Sequence, residues 1–161
     1  MPVGDEITIR WADARDVAAI VRVINVAFRA AESFFVERDR ISAETLRPIL
    51  EKGNFLLAED VNGLAGCVFV ELRGERAYFG LLAVDPQRQH CGLGRRLIDE
   101  AENYAHAAGC RAMDIRIVSV RAELPQFYRR LGYVESGTEP FPAEVKAKLP
   151  CHFVLMSKAL V

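Results

Sequence analysis

The segment from Val84 to Leu97 limits what this chain can fold into more than any other stretch. An apolar run ends at Val84 and Asp85-Pro86 breaks it. Gly92-Leu93-Gly94 then opens a segment in which Leu93, Leu97, Ile98, Ala101, Ala105 and Ala108 keep helical spacing up to Gly109. A strand that passes through a glycine turn into a helix presents the first helical amides, which have no intrahelical acceptor, at the end of a sheet. Those donors and the positive end of the helix dipole suit an anion, and glycines let it approach the backbone. Arg95 and Arg96 in the first turn oppose the dipole by a few tenths to about 1 kcal/mol, a conflict that a bound phosphate reverses. A plain tight turn beside a solvated arginine face satisfies Gly-x-Gly as well. Rival phosphate motifs fail: no Lys-Ser or Lys-Thr follows the glycines, and Gly92-Leu93-Gly94-Arg95-Arg96-Leu97 lacks the third glycine of a dinucleotide fingerprint.

The other periodicities place this junction in a mixed α/β domain. Ile7, Ile9 and Trp11 alternate as a first strand. Asp13 opens a helix carrying Val17, Ile20, Val21, Ile24 and Phe28, and Ser42 caps a short helix carrying Leu46, Ile49 and Leu50, closed by Gly53. Residues 29–40 between them show no period and read as an irregular apolar loop. Three apolar runs, 55–59, 64–72 and 77–84, are separated by Val61-Asn62-Gly63 and Arg73-Gly74-Glu75 and read as an antiparallel meander. Met113, Ile115 and Ile117 alternate as a fifth strand. Pro125 begins a short helix with Leu124, Phe127, Tyr128 and Leu131 on one face, stopped by Gly132; residues 133–135 and 152–158 close the chain as strands. The expected order is β-α-α-β-β-β-α-β-α-β-β in one domain over residues 1–161, a length that suits a single core.

Charge and cysteine usage narrow the partners. A formal net charge of -1 leaves no global field for nucleic acid or an acidic membrane. Nucleic-acid binding would rest on Arg88, Arg95, Arg96, Arg129 and Arg130, with no reading-helix motif beside them. Cys67, Cys91, Cys110 and Cys151 lack the close pairs of a zinc site and the density of a disulfide scaffold, which suits reduced thiols in a cytosol. His90-Cys91 and Cys151-His152 are nominal zinc ligands that nothing in the sequence brings together, so no metal is expected. The start, MPVGDEITIRW, has no basic segment followed by an apolar run, and no later stretch approaches the roughly 20 apolar residues that span a bilayer. The expectation is a soluble, unexported, cytoplasmic protein.

Gln89-His90-Cys91-Gly92-Leu93-Gly94 resembles the signature of the GNAT superfamily of N-acetyltransferases: Gln or Arg, two residues, Gly, one residue, then Gly or Ala. The likeness extends from Leu82-Ala83-Val84-Asp85-Pro86 to Phe127-Tyr128-Arg129-Arg130-Leu131-Gly132-Tyr133, and the order of elements agrees along nearly the whole chain. His90 stands where the family often has glycine, yet its backbone amide is still offered. The resemblance implies a GNAT-like domain whose central sheet is mixed and mostly antiparallel, with about seven strands and four helices. It implies acetyl-CoA as cosubstrate and transfer of an acetyl or short acyl group to an amine of a small molecule or protein by direct attack in a ternary complex. A non-catalytic acyl-CoA sensor is the alternative, and a homodimer is the analogous assembly.

The same resemblance assigns residues. In that family the strand before the signature splays from its neighbour and pairs its backbone with the pantetheine arm, a role that carries over to Leu82, Ala83 and Val84. Gln89, His90, Cys91, Gly92, Leu93, Gly94 and Arg95 would hold the pyrophosphate. Tyr128 matches the tyrosine whose hydroxyl faces the departing thiolate; a phenol pKa of about 10 exceeds a thiol's roughly 8.5, so it would act by hydrogen bonding. It also completes an apolar stripe that would be core even as phenylalanine. Many relatives carry a glutamate before the signature, but Tyr78-Phe79-Gly80-Leu81 holds none. Glu71 on the preceding strand is then either the base or a hairpin-edge charge. Glu32 and Glu37 with Phe34 and Phe35 fall where relatives shape the acceptor site. They either receive a cationic amine or form an exposed face over buried rings. His152 is either a base or substrate contact or a structural histidine. Cys91 beside the helix start is a candidate for oxidation. Acceptor identity would be set by residues 29–40 and 136–150.

Overall fold

Each of the first two helices starts where its sequence supplies a cap. The computed structural model describes residues 6–34, 40–88, 92–142 and 147–161. Asp13 accepts from the Arg15 amide at 2.8 Å and Asp16 accepts from the Asp13 amide, a capping box on the single 3-10 turn Ala14–Asp16 that runs into α1 (Val17–Glu32). Ser42 Oγ accepts from the Thr45 amide at the head of α2 (Ala43–Lys52). α1 runs further than its apolar period indicates. Residues 29–32, expected in an irregular loop, remain helical because Arg-Ala-Ala-Glu is made of strong helix formers. α2 stops at Gly53 for want of space: a Cβ there would lie 2.5 Å from the Val70 carbonyl oxygen.

The strands are β1 (Thr8–Trp11), β2 (Asn54–Asp60), β3 (Gly63–Arg73), β4 (Arg76–Val84), β5 (Ala112–Val118), β6 (Val134–Pro140) and β7 (His152–Ala159), with α3 (Leu93–Ala107) and α4 (Glu123–Arg130) flanking β5 in sequence. They form one sheet in the order β1-β2-β3-β4-β5-β7-β6. β4 and β5 are its parallel pair and every other pairing is antiparallel. This is the expected α/β architecture with two further boundaries corrected. α4 begins two residues before Pro125, since a proline in the first turn lacks only an amide that has no acceptor there. β6 continues to Pro140 through residues expected to be irregular: a register shift absorbs Ser136, Gly137 pairs with Leu155, and the proline sits on an outer strand.

The sheet carries helices on both faces. α1 and α2 bury Val17, Ile20, Val23, Ile24 and Leu46 against Phe55, Leu57, Cys67 and Phe69. On the opposite face α3 lays Leu93, Leu97, Ile98, Ala101 and Ala105 over Leu56, Ala58, Val68 and Val70, and Tyr128 and Tyr133 join the same cluster. α3 comes close because β3 offers Gly66, where a Cβ would meet Leu97 Cδ1 at 3.2 Å. A buried polar link fixes α3 further: Glu102 accepts from the Tyr133 hydroxyl at 2.8 Å and from Lys158 of β7 at 2.7 Å. Burial, with the Glu102 charge beside it, pushes the Tyr133 hydroxyl well above the usual phenol range.

Leu97 has no exposed surface, and it holds α3 to the sheet. Leu97→Ala is expected to cost about 2–5 kcal/mol in urea unfolding. A loss below about 1 kcal/mol would show that α3 is not held by this contact.

Candidate active site

β4 and β5 pair over three residues only, Arg76–Tyr78 with Ala112–Asp114, and then part. The cause lies in β4. Its register against β3 shifts between Cys67 and Phe69, so that Leu81 and Leu82 face the single residue Val68, and Leu81 adopts φ +51°. A bulky side chain in left-handed backbone costs about 1–3 kcal/mol and persists only where the surroundings enforce it. The bulge bends the strand and inverts its alternation. Ala77 and Phe79 pack on the α3 side before it, and Leu82 and Val84 do so after it. Tyr78, Leu81 and Ala83 pack on the side of α1 and α2.

The parting strands frame a cleft of about 670 Å³. It runs from the first turn of α3, past Leu82, Val84 and Tyr128, to Phe28, Glu32 and Arg40 on the other side of the sheet. At its α3 end Gly92 has φ +70°, no side chain caps the helix, and its first turn holds no acid. Arg96 is the first residue whose amide finds a backbone acceptor, the Gly92 carbonyl at 3.1 Å. The amides of Leu93, Gly94 and Arg95 have none among the described residues. A Cβ on Gly94 would meet only Val84 Cγ2, at an ordinary 3.8 Å, so protein packing does not demand a glycine there. Three amides without a backbone acceptor at a helix start are the arrangement that suits an anion. Arg88, just upstream, is not a free cation: it bonds Asp60 at 3.0 Å and the Leu64 carbonyl at 2.9 Å, pinning the entry to the loop.

Tyr128 lies on the cleft wall within an aromatic group, its ring 6.1 Å from Phe79 and 5.7 Å from Tyr133. Its side chain is buried, yet its hydroxyl bonds no protein group among the described residues. Every fully enclosed side-chain oxygen of the described residues does find a partner. The hydroxyl therefore opens onto the cleft. Burial pushes it up to about 12, with Arg121 pulling the other way, and it stays protonated through neutral pH. Glu32, at the end of α1, pairs with Arg121 at 3.1 Å with both side chains largely shielded. Burial raises the Glu32 carboxyl above its ordinary value and Arg121 restrains the rise.

A second cleft of about 640 Å³ lies against α2 and holds Glu71. The two clefts share Arg40, Tyr78, Gly80, Leu81, Ile115 and Arg116. Of the residues expected at the site, Leu82, Val84, Gly92, Leu93, Gly94, Arg95, Glu32 and Tyr128 meet in the first cleft. Ala83 faces the α1 side. Glu71 bonds Arg73 at 3.1 Å in the second cleft. Phe34 and His152 line neither cleft; the His152 backbone exchanges hydrogen bonds with Ser119. Gln89, His90, Cys91, Phe35 and Glu37 lie outside the described residues. Arg40, Arg121 and the Leu81 bulge went unread in the sequence: two arginines in connecting segments look like solvated charge, and the bulge sits in an unbroken apolar run. Among the described residues no group of three or more His, Cys, Asp or Glu is arranged to hold a metal, and no helix is long and apolar enough to cross a membrane.

Comparison with known proteins agrees with this geometry. A family model described as an acetyltransferase (GNAT) domain matches residues 51–135. The mycothiol acetyltransferase of Clavibacter michiganensis subsp. michiganensis is 29% identical over 102 residues, 63% of this chain; the match spans 32% of that relative's length. Among solved structures, the ribosomal-protein-S18-alanine N-acetyltransferase of Escherichia coli superposes with a TM-score of 0.78 at 16% identity, covering 96% of this chain and 94% of that one. A second, yncA of Salmonella typhimurium with its cofactor acetyl-CoA, has a TM-score of 0.73 at 23% identity, covering 96% and 94%. At these identities the two structures establish likeness of fold.

Arg121→Ala leaves the Glu32 carboxylate without its partner. The expected loss of stability is about 1–3 kcal/mol. A carboxyl whose folded pKa lies above its unfolded value stabilises the fold in its protonated form, so that contribution is present at low pH and disappears as pH rises through the folded value. Removing Arg121 raises the folded value further. The deficit should thus be larger at about pH 8 than at about pH 5 in paired urea titrations. An equal deficit at both would remove Glu32 from the account.

Proposed function

Since the chain belongs to the GNAT acetyltransferase family, we propose that it transfers an acetyl or short acyl group from acetyl-CoA to an amine, both substrates being held at once. The observation that carries this reading is the meeting in one cleft, among the described residues, of the β4 edge that β5 leaves after Tyr78, the first-turn amides of α3 without a backbone acceptor and the Tyr128 hydroxyl. When bound there, acetyl-CoA supplies an acyl carbon already activated by its thioester. In the reaction a nitrogen–carbon bond forms and the carbon–sulfur bond breaks, while the amine gives up a proton and the sulfur gains one.

The residues of the chain divide these tasks. The amides of Leu93, Gly94 and Arg95, with Gln89, His90 and Cys91 ahead of them, hold the pyrophosphate, and the helix dipole adds to the attraction. Leu82 and Ala83, with Val84 beside them, present their backbone to the pantetheine arm on the side from which β5 has parted. Tyr128 donates a hydrogen bond where negative charge develops on sulfur; its raised pKa makes it a donor at every working pH and a poor source of a fully transferred proton. The acceptor enters through the second cleft, where Glu71 is our assignment for the group that takes the amine proton. Of the other expected acceptor contacts, Glu32 lines the first cleft, and Phe34 and His152 line neither. The junction of the two clefts at Tyr78, Gly80 and Leu81 supports direct attack without a covalent enzyme intermediate. Reduced Cys67, Cys110 and Cys151 suit a cytoplasmic setting.

With acetyl-CoA and a broad panel of amines, thiol release above the rate of hydrolysis is expected; firm binding of CoA with no release for any amine would favour a sensor. Tyr128→Phe should keep the thermal stabilisation given by CoA and lower kcat on the order of 10²-fold. An unchanged kcat would return Tyr128 to a packing role. The shape of the pH–rate profile between about pH 6 and 9 should be the same in the variant, because a hydroxyl held near 12 contributes no limb in that range.

A further inference from the structure

The second cleft does not share the charge balance of the chain around it. The protein carries a formal net charge of -1, yet this lining holds more cations than carboxylates. Three of the cations are matched. Arg73 pairs with Glu71 at 3.1 Å, Arg76 grips Asp114 through bonds of 2.8 and 2.5 Å, and Arg116 lies 3.6 Å from Glu139. Arg40 and Lys52 line the same cleft with no carboxylate in ion-pair range among the described residues.

Arg40 stands where the two clefts join, since it lines both. Its backbone is well fixed: the next residue, Ile41, donates to the Asn25 side-chain oxygen at 2.9 Å and accepts from its amide nitrogen at 2.8 Å, which clamps this turn to α1. The guanidinium lies 5.5 Å above the Phe28 ring. The side chain is open to the cleft, yet enough protein surrounds its head that burial lowers its proton affinity below the ordinary arginine value. An arginine so placed remains charged and seeks an anion. The carboxylate acting on it, Glu32, is already committed to Arg121.

We infer that the second cleft receives a small amine bearing its own carboxylate, an amino acid or close analogue, whose carboxylate Arg40 holds at the junction of the two clefts. This deepens the acetyltransferase reading and rests on it. A guanidinium fork matches a carboxylate with two parallel hydrogen bonds, which fixes the orientation of the acceptor as well as its affinity. A cleft of about 640 Å³ is of small-molecule size. The excess positive charge also favours the neutral form of an incoming amine, because a nearby cation disfavours an ammonium. That is the form an acyl transfer needs, and β4 carries no carboxylate to produce it.

The test compares free amino acids with their α-amides and with the corresponding decarboxylated amines. Equilibrium binding is measured by calorimetry with CoA present, and thiol release from acetyl-CoA is measured in parallel. The free acids should bind at least tenfold more tightly than their amides. Arg40→Gln should cut that preference at least tenfold, chiefly through KM, in a variant whose response to CoA in thermal melts shows that it is folded. Arg40→Lys should restore part of the preference. Equal binding of acids and amides, no binding of any acid, or an equal loss for all acceptors in Arg40→Gln would each overturn the inference. A preference for acids without thiol release would keep the acceptor class and sink the acetyltransferase reading, so the two fail separately.

Discussion

A sheet normally spends every backbone amide and carbonyl on its neighbours, and this one declines to do so at its centre. β4 and β5 give up their mutual ladder after three residues, although buried backbone groups left unpaired are costly. Each strand is supported from its outer side instead. β3 follows β4 on both sides of the bulge, and β7 pairs with β5 from Ala112 to Val118. The strained backbone of Leu81 is the pivot, because an extra residue there turns the strand and reverses which side chains face α3. Exposed edges are ordinarily a hazard of association. Here the two strands part along a cleft that the Leu82, Val84 and Tyr128 side of the sheet lines.

The electrostatics around this opening follow from what is buried and what is not. The amides at the head of α3 meet the cleft without an acid of their own. Deeper charges are neutralised in place: Glu102 by Tyr133 and Lys158, and Glu32 by Arg121. Removing either cation would strand a shielded carboxylate, so these pairs fix positions more than they add net stability. α3 is thereby tied to β7, and the end of α1 to the segment leading into α4.

How much of this could be read in the chain depends on the range of each signal. The α3 junction and the meander were legible because glycines and helical spacing act within a few residues, and the described helix and strands fall where those spacings put them. The bulge was not legible. From Ala77 to Val84 both faces are largely apolar, so an inverted alternation leaves no contrast in the sequence. The placement of Glu71 away from Tyr128 depends on which side of the sheet each residue takes, and that is set by register across strands. Residues 29–32 hid a helical turn behind charges, and Gly137 and Pro140 hid a strand behind turn-forming residues that an outer position tolerates.

The two clefts meet at a shared wall that includes Tyr78, Gly80 and Leu81, and Gly80 contributes no side chain to it. Its consequence is one of traffic. In the reaction we propose, a sheet with a window in it lets two molecules come from opposite sides, meet end to end, and depart the way each arrived. Neither has to wait for the other to clear a common doorway, and neither has to be carried across the rim of the sheet.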